Sequence, residues 1–113
     1  MPDKYEPLTE SYVYILLCLY NGPNHGYGIM QQTLDYSGGN VQIGSGTMYG
    51  AVSNMLKKGW IEECPAAGSG VERKRQYQLT SAGRQVLLEE AARRRRLSET
   101  IQRILEGNEH ENK

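Results

Sequence analysis

The chain has 113 residues, 13 Lys and Arg against 13 Asp and Glu, and 38% apolar residues, with eight Tyr and one Trp but no Phe as its aromatic bulk. That length predicts one domain with an economical core. An N-terminus, MPDKYEPLTE, without the basic and apolar regions of a signal peptide, and the lack of any run apolar enough for a bilayer, predict a cytoplasmic protein with no membrane partner.

Residues 1 to 7 read as a short polar arm. From Leu8 to Tyr20 the spacing predicts a helix capped by Thr9, with Tyr12, Val13, Leu16, Leu17 and Leu19 apolar around more than half its circumference. Asn21-Gly22-Pro23 is a turn, and Asn24 or His25 starts a second helix, GYGIMQQTLDY, striped by Tyr27, Ile29, Met30 and Leu34. Ser37 to Asn40 ends it, and Val41 to Ile43 alternates like a short strand.

Gly44 to Gly59, GSGTMYGAVSNMLKKG, reads as a third helix with Ser45 as N-cap and Gly59 as the stop after Lys57 and Lys58. Met48, Val52, Met55 and Leu56 fall on one stripe and form its buried face. The outer face holds Gly46, Thr47, Tyr49, Gly50, Ser53, Asn54 and Lys57, with no carboxylate, so it can approach phosphates closely. In isolation the same pattern describes an ordinary amphipathic core helix; its neighbours decide the reading.

After Gly59 the period changes. Trp60 to Cys64 and Val71 to Leu79 read as strands joined by the small-residue turn PAAGSG, with Tyr77 and Leu79 on one face and Arg73, Lys74 and Arg75 beside the tip. A hairpin with basic residues at its end, directly after a helix-turn-helix, is a wing, which reaches phosphates or the minor groove while the helix sits in the major groove. Thr80 then caps a helix from Ser81 to about Glu106, followed by Gly107 and a polar tail, residues 107 to 113, expected to be disordered. At ~1.5 Å per residue this helix is on the order of 40 Å long, and much of it must project. Its stripe of Leu97, Ile101, Ile104 and Leu105 has no partner left in one chain, so a second copy is the economical one, with Tyr12 assigned to the same dimer contact. Glu89 and Glu90 precede Arg93 and Arg94 by three or four residues and should pair with them along the helix surface.

The fold class is therefore mainly α with a β-hairpin wing (α+β): a winged helix-turn-helix over residues 1 to 80 and one long dimerisation helix over 81 to 106. Charge is segregated within the neutral total. Residues 1 to 72 carry three Lys against seven Asp and Glu, residues 73 to 103 carry nine Lys and Arg against three Glu, and the last ten residues sum to −2. Such asymmetry permits a nucleic-acid partner. Cys18 and Cys64 are far apart and read as reduced structural thiols. His25 packs at a helix start and His110 lies in the tail, so neither supports a metal site or acid-base catalysis. Gly44-Ser45-Gly46 lacks the following Lys-Ser/Thr of a nucleotide loop, and Trp60 reads as core beneath the wing. No cofactor and no enzyme activity are expected.

NGPNHGYGIM, then GTMY with Met55 and Gly59-Trp60-Ile61 at fixed distances, then RKRQYQLTSAGR leading into a long helix, together resemble the PadR family of bacterial transcriptional regulators, from about Leu8 to Leu88. The single C-terminal helix is similar to its smaller subfamily. The resemblance implies a dimeric winged helix-turn-helix repressor that binds an inverted repeat and is often relieved by a small-molecule ligand. Thr47 and Tyr49 match the family's Thr-Leu-Tyr in the recognition helix; Arg73, Lys74 and Arg75 match its basic wing strand; Tyr77, Leu79 and Thr80 match its Tyr-x-Leu-Thr. Gly50 stands where a long basic residue is common, Asn54 where Arg is common, and Glu72 where a base is usual at the wing tip, which implies modest affinity for DNA.

The expected function is sequence-specific binding of double-stranded DNA by a homodimer, through Ser45, Thr47, Tyr49, Ser53, Asn54, Lys57, Arg73, Lys74 and Arg75. Arg73 and Lys74 would hold phosphates, and Asn54 would read an adenine edge. A small-molecule effector, if sensed, should be anionic to suit the four arginines of the last helix. The alternative is a winged-helix module that binds protein and has no operator.

Overall fold

The computed structural model describes residues 7–64 and 75–111. Four helices and three strands follow in the order α1 (Glu10–Cys18), β1 (Asn24–His25), α2 (Gly26–Tyr36), α3 (Ser45–Lys58), β2 (Ile61–Cys64), β3 (Gln76–Leu79) and α4 (Ser81–Glu111). The expected helical class with a β-hairpin is what the chain forms. The PAAGSG turn and Arg73 and Lys74 lie outside the described residues.

Three of the four helices start on a residue whose side chain supplies the missing acceptor. Thr9 caps α1 by accepting from the Tyr12 N–H at 3.3 Å, and His25 caps α2 by accepting from the Gly28 N–H at its Nδ1, 3.1 Å away. Thr80 begins α4: its Oγ1 accepts from Gly83 N at 3.1 Å and donates to Gly59 O at 2.6 Å, tying the end of α3 to the start of α4. Gly83 lies so close to the Trp60 carbonyl that a Cβ there would collide with backbone. For α3 the sequence reading needs correction. Its N-cap is Gly44, whose carbonyl accepts the first helical bond from Met48 N at 2.9 Å, and Ser45 is already the first helical residue. Gly59 ends α3 in the left-handed conformation, φ 78°, as expected.

The strand expected at Val41 to Ile43 does not form. Ser37 Oγ accepts from Val41 N at 2.9 Å and lies 3.3 Å from Val41 O, so a side chain takes the role of a ladder partner. The third strand is instead Asn24–His25, which pairs antiparallel with β3, Asn24 opposite Tyr77 and His25 opposite Gln76. β2 lies on the other side of β3, with Ile61 opposite Leu79 and Glu63 opposite Tyr77. The sheet order is thus β1-β3-β2.

Ile15, Leu16, Leu19, Ile29, Met48 and Met55 make the centre of the core, closed by Ile61, Tyr77 and Leu87. Two expected stripes shift by one position on the wheel. In α3, Ala51 is buried and Leu56 is 37% exposed; in α2, Thr33 is buried beside Cys18 Sγ, at 3.5 Å, and Tyr27 faces out. Trp60 is half-buried against this core with Lys58 Nζ 5.5 Å above its ring.

α4 packs on α1 and β3 over its first turns. Arg84 sits 4.8 Å over the Tyr20 ring, and Glu90, although charged, is 0% exposed. Glu90 accepts from Arg93 at 3.0 Å, from Arg94 at 2.6 Å and from Leu8 N at 3.4 Å, while Arg94 donates to Leu8 O at 2.8 Å. The pairing of Glu90 with both arginines is the one the spacing predicts, whereas Glu89 accepts from Gln85 Nε2 at 2.9 Å instead; the hold of Glu90 on the chain before α1 is additional. A helix of 31 residues is ~46 Å long, and beyond Arg96 the apolar side chains Leu97, Ile101, Ile104 and Leu105 are 47–58% exposed. α4 also runs through Gly107 to Glu111, into the segment expected to be disordered. Gly107 is not among the glycines with positive φ, and an interior glycine costs a helix only ~1 kcal/mol, so nothing forces a stop there. Among the described residues no helix is long and apolar enough to cross a membrane.

Candidate nucleic-acid interface

At about 100° per residue, the buried side of α3 (Met48, Ala51, Val52, Met55) leaves Gly46, Gly50, Ser53 and Lys57 at the middle of the outer side. All four are exposed, and at Gly46 and Gly50 an added Cβ would meet nothing within 4 Å. Ser45 and Tyr49 form one margin of this face and Thr47 and Asn54 the other, all exposed. The six residues of α3 singled out in the sequence, Ser45, Thr47, Tyr49, Ser53, Asn54 and Lys57, therefore share one solvent-facing surface without a carboxylate.

Each margin abuts another element. On one side Asn54 Nδ2 donates to Tyr12 Oη of α1 at 2.9 Å. Tyr12, assigned with the dimer stripe in the sequence, is half-buried and sits far from Leu97 to Leu105 in sequence, next to α3. On the other side a cavity of about 330 Å³ separates α3 from the sheet, lined by His25, Gly26, Tyr27, Tyr49, Arg75 and Tyr77. Gly26 makes room for it to form: a Cβ there would stand 2.7 Å from Tyr49 Oη and 2.7 Å from Met48 Cε.

The hairpin explains why a base lies at this cavity. Directly opposed residues of antiparallel strands share a face, so Ile61, Glu63, Leu79, Tyr77 and, two residues before it, Arg75 are on one side. That side is buried at Ile61 and Tyr77 and reaches solvent at Glu63 and Arg75, where Arg75 Nε is 3.4 Å from Glu63 Oε2. The opposite side carries Gln78, which donates to Glu62 at 2.8 Å. Of the three basic wing residues, Arg75 is exposed at the wing base; Arg73 and Lys74 lie outside the described residues, as does Glu72.

Sequence reasoning missed His25, Tyr27 and Glu63 as neighbours of this face. Period-2 alternation from Tyr77 puts Arg75 on the same face of the strand, a signal in the sequence for a base at this position. Among the described residues no cluster of three or more His, Cys, Asp or Glu could hold a metal. The cysteines are free; burial pushes the Cys18 thiol above its ordinary value, with Thr33 opposing.

A family model described as the transcriptional regulator PadR-like family matches residues 15–89. An uncharacterized 37.1 kDa protein in a transposon of Streptomyces fradiae is 34% identical over 90 residues, covering 80% of this chain; the chain spans only 24% of that relative's length. Among solved structures, a PadR family transcription regulator from Clostridium difficile superposes with TM-score 0.74 at 22% identity, covering 86% of this chain and 99% of that one. Bacillus subtilis PadR, solved in complex with operator DNA, superposes with TM-score 0.62 at 23% identity over 69% of this chain and 44% of that one.

Proposed function

The chain belongs to the PadR-like family of transcriptional regulators, and we propose that it binds operator DNA as a homodimer and represses transcription from it. The observation that carries this is the solvent-facing side of α3, free of carboxylates, flanked by Arg75 and bare at Gly46 and Gly50. Thr47, Tyr49 and Arg75, with Arg73 and Lys74 of the wing, would hold phosphates; Ser45, Ser53, Asn54 and Lys57 would face the base edges. The similarity to a PadR solved with operator DNA supports the same reading.

Two copies would pair through Leu97, Ile101, Ile104 and Leu105 and place their α3 helices ~34 Å apart on an inverted repeat. Relief by a small anionic ligand is part of the proposal. Arg95 and Arg96, both exposed, are the cations for it, because Arg93 and Arg94 are engaged with Glu90. Footprinting on the DNA upstream of the chain's own gene tests the arrangement. Two protected half-sites about one helical turn apart are expected; one unrepeated site, or none, would refute the inverted-repeat dimer.

A further inference from the structure

The cavity between α3 and the sheet has the donor set of an anion site. Among the described residues its lining has one guanidinium, three phenols, one imidazole and no carboxylate. Tyr77 is 3% exposed, and its hydroxyl has no hydrogen bond among the described residues. A hydroxyl with no such partner is available to donate to an acceptor in the cavity. His25 accepts from Gly28 N at Nδ1, so its neutral ring carries the proton on Nε2 and offers a donor. Tyr49 belongs both to this lining and to the margin of the acid-free face, so whatever fills the cavity also borders a strand running past α3.

We propose that the cavity seats one phosphodiester of the bound duplex, its sugar against the tyrosine rings, and that Glu63 limits affinity by competing for Arg75. The inference rests on the DNA-binding reading and adds to it a site and a restraint. Glu63 stands opposite Tyr77 in register, diagonal to Arg75, and outside the lining. The ion pair is exposed and 3.4 Å long, a kind that water and salt weaken easily, so a phosphate able to take two hydrogen bonds from the guanidinium displaces it. The Glu63 carboxylate then remains as a like charge beside the phosphate. A modest affinity would thus be set at the wing base as well as by the missing bases of α3.

The test measures the affinity of the full chain for its upstream duplex across a salt series. Glu63→Gln should tighten binding about threefold or more at low salt, where screening is weakest. Arg75→Gln should lower the slope of log affinity against log salt by ~0.9 per protomer, the loss of one phosphate contact. Tyr77→Phe should weaken binding with the slope and the melting temperature unchanged. An unchanged affinity in Glu63→Gln, or an unchanged slope in Arg75→Gln, overturns the proposal while leaving DNA binding intact. So does stabilisation by inorganic phosphate that Arg75→Gln abolishes with duplex binding unaltered, since the cavity would then take a free anion. Failure of the wild-type chain to bind any duplex removes the functional reading itself, and the phosphodiester site with it.

Discussion

Asn54 Nδ2 donates to the hydroxyl of Tyr12 at 2.9 Å, linking α3 to α1. This bond uses one amide proton and leaves Asn54 a second N–H and its Oδ1, the donor and acceptor that an adenine edge requires. Tyr12 would therefore orient the amide. Tyr12→Phe should cost no more than ~1 kcal/mol of stability, the worth of one solvent-accessible hydrogen bond. It should also relax base preference at one position of each half-site. Denaturant unfolding reads the first effect and competition among single-base operator variants the second; an unchanged preference profile would show that Asn54 reads no base through this geometry.

Gly50 lies in the middle of the outer face with open space around it. Gly50→Arg needs no repacking, gains ~1 kcal/mol of helix propensity, and adds a cation long enough to reach a phosphate beside the bases that this face meets. Its melting temperature should rise, DNA affinity should increase, and the salt slope should steepen by ~0.9 per protomer. Higher stability with no change in DNA binding would place the duplex elsewhere.

Burial holds the pKa of the Cys18 thiol above its ordinary value, and the thiol donates to Ile29 O at 3.5 Å. The folded state thus keeps the proton after the unfolded chain has lost it. The stability this contributes is full below the unfolded value and is lost as pH rises through it toward the folded value. Between pH ~8 and 10 the wild-type chain should lose more stability than Cys18→Ala, although it is the more stable of the two near neutrality. Parallel stability curves for the two proteins over that range would contradict the assignment.

Ile101 is 47% exposed on the apolar stripe of α4. If a second copy covers it, Ile101→Asp should shift sedimentation from dimer to monomer and weaken operator binding by tenfold or more, because each half-site would then bind alone. A wild-type chain that sediments as a monomer at the concentrations used for DNA binding would rule out the two-fold arrangement.

Elements with strong local chemistry were legible in the sequence. Thr9, Thr80 and Gly59 fix helix ends through their own hydrogen bonds or backbone freedom, and the spacing of Glu90 from Arg93 and Arg94 foretold their pairing. Other features depend on contacts between distant segments. Periodicity at Val41 to Ile43 could not reveal that Ser37 Oγ takes the backbone of Val41. Two-residue pairing of Asn24–His25 with β3 leaves no alternating pattern to read. The cavity at Tyr49 needs Gly26 next to α3 and Arg75 brought back by the hairpin, a juxtaposition no single window contains. The buried Glu90 holding Leu8 is likewise a contact across most of the chain.

The most direct measurement is fluorescence anisotropy of a labelled duplex from immediately upstream of the chain's gene, titrated at two salt concentrations with excess unrelated DNA as competitor. The expected result is saturable binding that survives the competitor, weakens with salt, and is lost when Tyr49 and Arg75 are replaced together. Equal, salt-collapsing binding to both DNAs, or none, would contradict an operator-binding role and point to a protein partner for the same winged-helix surface.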